Sequence, residues 1–285
     1  MKLILLTAAA MLAFAANSVL ARLAFATAGA EAMSYTGIRL AAGALTLALL
    51  LAARTRAVPK IAGTWPGAAA LLGYALFFST AYLLLSAGTG ALILFATVQI
   101  GILGWAVLKG DRPGPLQWLG LAIAFAALIY LVSPGLVAPD PLGTLLMVVA
   151  GLCWAAYTLI GRGSQSPLAD TAGNFIRCAP VAVALIVAGA LIHGITPLAA
   201  IYAVLSGAIA SGLGYAIWYA VLPGLTRTRA GIVQLSVPAI AAAGGVLLLA
   251  EPLSLRLGIA TAGIICGVAL ALTAANRRTP RPGAP

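Results

Sequence analysis

Acidic residues are nearly absent from this 285-residue chain: five Asp and Glu stand against sixteen Lys and Arg, with a single histidine and three cysteines. Each scarcity excludes a kind of chemistry. One histidine cannot complete an HExxH zinc site. His193 falls at an expected helix end, with no Ser or Cys nucleophile to serve as its base. No acidic pair is spaced to hold Mg²⁺ at a diphosphate. Cys153, Cys178 and Cys266 are odd in number and lack neighbours at metal-ligand spacing, so they read as packing residues. The three lysines lie near span ends, which leaves none for a retinal-type Schiff base. An enzyme is therefore not expected, nor is any metal or cofactor.

What is abundant is apolar surface. The chain is 63% hydrophobic and 7% charged, with a mean hydropathy of +1.11, whereas about a quarter of a soluble domain is charged. Stretches of roughly 20 apolar residues, each long enough to cross a bilayer, are punctuated by clusters of Gly, Pro and charge. Ten spans are expected, at approximately 3–25, 33–53, 65–86, 90–108, 115–133, 142–161, 171–192, 198–222, 230–249 and 255–275. All should be helical, because the bilayer offers no water to unpaired backbone groups. The net charge of +11 is scattered over short loops and forms no nucleic-acid face. The lipid bilayer is the expected partner and nucleic acid is not.

The opening stretch, MKLILLTAAAMLAFAANSVLA, fits either a cleaved secretory signal or a first span. An internal repeat separates the two. Shifted by about 139 residues, the chain superposes on itself: Arg22 falls near Arg162, Glu31 on Asp170, Arg39 near Arg177, Ala91 on Ala230, and Asp111 nearly on Glu251. The triplet GYA occurs at 73–75 and again at 214–216. The first stretch then corresponds to the sixth span, which lies mid-chain and cannot be a signal. The expected organisation is a first five-helix repeat over 1–137, a second over 138–276 and a basic cytoplasmic tail over 277–285. An odd number of spans per half turns the second half upside down, which makes an inverted repeat. Twelve of the sixteen cations fall on one side: Lys2, Arg54, Arg56, Lys60, Lys109, Arg112, Arg162, Arg227, Arg229, Arg277, Arg278 and Arg281. By the positive-inside rule, both termini are expected in the cytoplasm.

Glu31, Asp111, Asp140, Asp170 and Glu251 each stand at an expected helix start, where unpaired N–H groups and the helix dipole favour an acid. Read as caps, they leave no carboxylate for the middle of the membrane. A proton relay through a buried acid then has no residue to run on, and a bare organic cation lacks a counter-charge. A neutral or zwitterionic small molecule suits this composition; cations stay open through aromatic faces alone.

Polar and aromatic residues at span centres are the candidates for substrate binding. Gln99 lies mid-span in the fourth helix, open to two readings, lining the path or joining helices. Its repeat counterpart Pro238 either frees a carbonyl or merely kinks its helix. Asn17 in the first helix pairs through the repeat with Tyr157, and Trp154 lies one turn earlier. Tyr74, Phe78, Ser79 and Tyr82 recur at three- and four-residue spacing along the third helix. Tyr215 and Trp218 stand in the eighth. The central aromatics read either as core or as the wall of an uncharged cavity. Trp65, Trp118 and Tyr202 read as interface anchors, and Gly263 and Gly267 as a close helix contact.

With ten spans, an inverted repeat, NSVLARLAF in the first helix and the paired segments GDRPGPLQWLG and AEPLSLRLG, the chain resembles EamA-type transporters of the drug/metabolite transporter superfamily. It is most similar to YddG-like exporters of aromatic and other amino acids in the bacterial inner membrane. The resemblance implies helices 1, 3, 4, 6, 8 and 9 arranged as a basket around the path, with helices 5 and 10 outside it. It also implies export of amino acids by alternating access. Export of drugs or organic cations, and a channel or scaffold, are the alternatives. Sugar-phosphate carriers in the superfamily need buried bases; Arg39 and Arg177 are the intramembrane candidates, and their repeat relation points to a structural role. The oligomeric state is left open, a monomer included.

Overall fold

Proline preceded by a short polar cap begins three of the helices. A computed structural model describes residues 1–55, 62–110, 113–133, 138–225 and 227–278. In Thr64-Trp65-Pro66, Asp140-Pro141 and Thr196-Pro197 the capping oxygen accepts from Gly67 N (3.1 Å), Gly143 N (2.7 Å) and Ala199 N (3.2 Å). The proline falls where the missing N–H would be unpaired anyway. The elements are α1 (Lys2–Thr27), α2 (Ala32–Thr55), α3 (Trp65–Ala81), α4 (Ala87–Leu108), α5 (Pro115–Val132), α6 (Pro141–Ile160) and α7 (Pro167–Ile192). The eighth span is α8 (Pro197–Leu205), a π-helical segment (Ser206–Leu213) and α9 (Gly214–Val221). The ninth is α10 (Arg227–Gln234) with α11 (Ser236–Leu249), and the tenth is α12 (Leu255–Arg278).

The expected all-α integral membrane fold is present, without strands among the described residues. Among the described residues nine spans are long and apolar enough to cross a bilayer, and α3 is shorter, at 17 residues. It ends at Ala81, five residues before the expected end, in a turn on which Arg22 Nη1 donates to Tyr82 O at 2.8 Å. Nothing within Leu83–Leu85 marks that stop; a residue from α1 supplies the partner. The ninth helix breaks at Leu235, because Pro238 has no N–H to give to Gln234 O.

The principal helix pairs follow a pattern that is kept when the first five spans are exchanged with the last five. The pairs α2/α7, α5/α12 and α4/α11 map onto themselves, while α3/α6 maps onto the eighth span with α1, and α4/α6 onto α11/α1. Gly120 and Gly267 bring α5 and α12 into backbone contact: a Cβ on Gly267 would lie 2.5 Å from Gly120 O. Gly263 likewise faces Ala127, so the small-residue stripe serves close approach. The opening stretch is packed into this frame, with Ala10, Met11 and Ala15 buried against Trp218, Val237 and Ala241.

Two acids do other work than capping their own helices. Glu251 follows Ala250, whose left-handed backbone (φ 52°) turns the chain inward. There it accepts from Ala87 N of α4 (2.9 Å) and pairs with Arg22 (3.0 Å). Asp170 lies within the first turn of α7 and accepts from Gly63 N across the bundle at 2.9 Å. Glu31 and Asp140 cap α2 and α6 as expected. The reading of Asp111 as a cap, and the loop cations Arg56, Lys60, Arg112 and Arg281, lie outside the described residues.

Candidate functional site

Aromatic residues spaced three or four apart on three helices converge on one cavity of about 450 Å³, within the range of small-molecule sites. Trp154 of α6 is its centrepiece. It stacks on Tyr215 (centroids 5.5 Å, 19°) and on Tyr157 (5.3 Å, 30°), and Tyr74 of α3 tilts against it at 4.7 Å. Phe14 of α1 meets Tyr215 at 5.7 Å and Trp218 at 6.0 Å. These offset and edge contacts suit the ring quadrupole, and the same faces are available to a flat solute.

Polar groups enter the wall at a few fixed points. Asn17 Nδ2 donates to Tyr74 Oη (3.2 Å), while its Oδ1 accepts from Ser206 Oγ (2.5 Å). Ser206 opens the π-helical segment, a rare geometry that recurs at functional sites. Gly207 beside it lets the segment lie against the carbonyl of Arg39. Thr171 of α7 accepts from Tyr157 Oη (3.0 Å) and bonds Tyr219 Oη (3.1 Å), so three spans share one hydroxyl cluster.

One end of the cavity reaches the exposed α6–α7 turn at Gly161–Gly163 and the loop before α3. That loop is clamped by one face of α7. Asp170 takes Gly63 N, Asn174 Oδ1 takes Thr64 N at 2.9 Å, and Arg177 Nη1 donates to Ala62 O. Arg162 and Asp170 are the charged residues of this mouth. At the other end of the bundle the Arg22–Glu251 pair joins α1, the end of α3, the start of α4 and the α11–α12 connection.

Residues 141–273 match the EamA-like transporter family. An uncharacterized protein of Pseudomonas aeruginosa is 49% identical over 99% of this chain and 98% of its own length. The uncharacterized inner membrane transporter YedA of Escherichia coli is 32% identical over 48% of this chain and 46% of its own. The uncharacterized transporter YwfM of Bacillus subtilis is 30% identical over 68% and 66%. A solved crystal structure of 21% identity superposes with a TM-score of 0.62 over 93% of this chain and 98% of that one, which shows the fold. The chain belongs to the EamA-like transporter family. It is a multi-span membrane transporter of the drug/metabolite transporter superfamily.

For this EamA-type transporter, seven of the eleven sequence candidates line the cavity: Asn17, Tyr74, Phe78, Trp154, Tyr157, Tyr215 and Trp218. The other four are outside the lining. Gln99 is buried on α4 while its neighbours Phe95, Val98 and Ile102 face the cavity. Ser79 turns its hydroxyl back onto Ala75 O (2.8 Å), and Tyr82 bonds Ala87 O (3.3 Å) below the closed end. Pro238 is buried on α11, while Gln234, just before the break, lines the wall. Sequence reasoning missed Phe14 and the α7 set Asp170, Thr171 and Asn174; polar residues on one helix face were the available signal for the latter. Among the described residues, none of α5 or α12 is in the lining. The seventh span, absent from that basket, forms part of the mouth.

Proposed function

We propose that the protein is a bacterial inner-membrane carrier that exports amino acids with aromatic or other neutral side chains by alternating access. The observation that carries this reading is the aromatic cavity itself, which runs from mid-span to one exposed mouth and stops short of the Arg22–Glu251 link. Units 1–137 and 138–276 are the halves that rock, and the exchange symmetry of helix contacts supports that assignment. The mouth carries Arg162, and the Lys and Arg bias of the sequence supports a cytoplasmic mouth, on the side of both termini and the tail 277–285. Inner-membrane placement is supported by the printed description of YedA. The substrate's flat side chain lies on Trp154 and Tyr215, and Asn17 and Tyr74 meet its polar end.

Uptake of labelled phenylalanine, and separately threonine, into proteoliposomes tests this, with and without an imposed pH gradient. Saturable uptake with counterflow, indifferent to the gradient, is expected, since the acids of the described residues are engaged at helix ends and at the mouth. Ohmic flux or no flux of either solute would overturn the carrier of amino acids.

A further inference from the structure

Among the described residues, Arg39 has no acidic partner. It lies in the third turn of α2, about 10 Å along the helix from Ala32, and is 2% exposed. One guanidinium nitrogen, Nη2, donates to Tyr74 Oη at 2.9 Å; the other, Nη1, is buried without a partner. The plane lies 4.6 Å from the ring centre of Phe78 and 5.2 Å from that of Tyr74. Four acids fall among the described residues, and each is engaged elsewhere: Glu31 with Met33 N and Ser34 N, Asp140 with Gly143 N, Asp170 with Gly63 N and Ser164, Glu251 with Arg22 and Ala87 N. Burying a guanidinium with only ring faces and one phenol costs several kcal/mol, and an intramembrane base of this kind marks a substrate path more often than a scaffold. Its repeat counterpart Arg177 makes the contrast, since both of its hydrogen bonds go to backbone carbonyls, of Ala62 and Gly173.

The hydrogen-bond direction at Tyr74 says what Arg39 does for the cavity. The Asn17 amide nitrogen faces Tyr74, and the phenol oxygen accepts from both Asn17 and Arg39. The phenol's own proton is consumed by neither bond, and Tyr74 and Phe78 form the wall between Arg39 and the cavity. A donor backed by a positive charge and polarised by two incoming bonds suits an anionic oxygen. One monovalent cation among aromatic faces matches a carboxylate on a flat apolar body better than a doubly charged phosphate.

We propose that Tyr74 is the contact for the substrate's carboxylate and that Arg39, acting through Tyr74 and across the Phe78 ring, is the positioning residue that makes the site select anionic over uncharged and cationic ends. This rests on the reading of the cavity as the substrate site. Charge-assisted bonds of this kind correspond to about a 10- to 100-fold preference for acid over amide.

The test is binding to the purified full chain in nanodiscs, with two matched pairs: phenylalanine against phenylalaninamide, and phenylpropionate against phenylpropionamide. Each acid should bind more tightly than its amide. Tyr74→Phe and Arg39→Gln should bring each acid–amide pair to within about twofold, the acid losing more affinity than its amide, and Arg39→Lys should keep part of the preference. A single symmetric peak in size-exclusion chromatography and an unchanged thermal midpoint check that each variant is folded. Equal affinities of acid and amide in the unaltered protein, or a parallel loss of both in the variants, would overturn the carboxylate site while leaving the carrier intact. Binding of phenylpropionate without phenylalanine would keep the carboxylate site and remove amino acids as cargo. Binding of no acid would overturn both.

Discussion

At the scale of single residues, the wall separates side chains that face a solute from those that only hold helices together. Trp154 stacks on two rings and lines the cavity, and each such contact is worth about 0.5–1.5 kcal/mol. Trp154→Ala should therefore raise the KM for phenylalanine about 3- to 10-fold in proteoliposomes, whereas Trp154→Phe should hold it within about twofold. An unchanged KM in the alanine variant would remove Trp154 from the substrate's path. Gln99→Ala offers the opposite case. The residue is buried outside the lining, so its loss should lower the amount of folded protein and leave the KM within about twofold. A large KM increase there would place Gln99 on the path after all.

At the scale of elements, two joints can be tested separately from the cavity. The Arg22–Glu251 pair ties four spans at the end away from the mouth. Glu251→Gln removes the ion pair but keeps an acceptor for Ala87 N, a loss of about 1 kcal/mol at this partly exposed position. A cysteine introduced at Ser18, in a background lacking Cys153, Cys178 and Cys266, should then react faster with a membrane-impermeant maleimide added on the Arg22–Glu251 side; equal rates would show that the pair does not hold that end shut. The α5/α12 joint is different. Gly120→Leu would force these backbones apart at a cost of about 1–3 kcal/mol. Folded yield should fall while the surviving protein keeps its KM, because neither helix reaches the cavity. A changed KM would mean that the pair couples to the site.

At the scale of the whole molecule, orientation and cycle belong together. A reporter that fluoresces only in the cytoplasm, fused after Pro285, should light up, and a cysteine at Ser164 should be labelled from that same side. Labelling from the opposite side would invert the assignment of the mouth and with it the direction of export. The symmetric contact pattern also bears on energy: if the two halves can exchange roles, inward- and outward-facing packings differ by little, and a substrate needs only a small differential affinity to shift the balance.

Composition and period were enough to establish the membrane, the all-helical class and the ten spans, because the cost of an unpaired backbone group in lipid leaves one local solution for each apolar stretch. The caps at Thr64, Asp140 and Thr196 were legible for the same local reason. The cavity was legible in part: rings at three- and four-residue spacing announce a face, but not whether that face meets a helix or a solute. Only the tertiary structure separated Trp154 from Tyr82, turned Glu251 onto the start of α4 and ended α3 at Arg22, since the cavity is assembled from distant spans and the partners of Glu251 and Arg22 are more than fifty residues away. Arg39 and Arg177 carry the distinction furthest. The repeat makes them equivalents in sequence, yet Arg177 meets backbone carbonyls at the mouth while Arg39 meets a phenol and two ring faces in the interior. A charge acquires its role from what it is buried against, which three-dimensional packing decides.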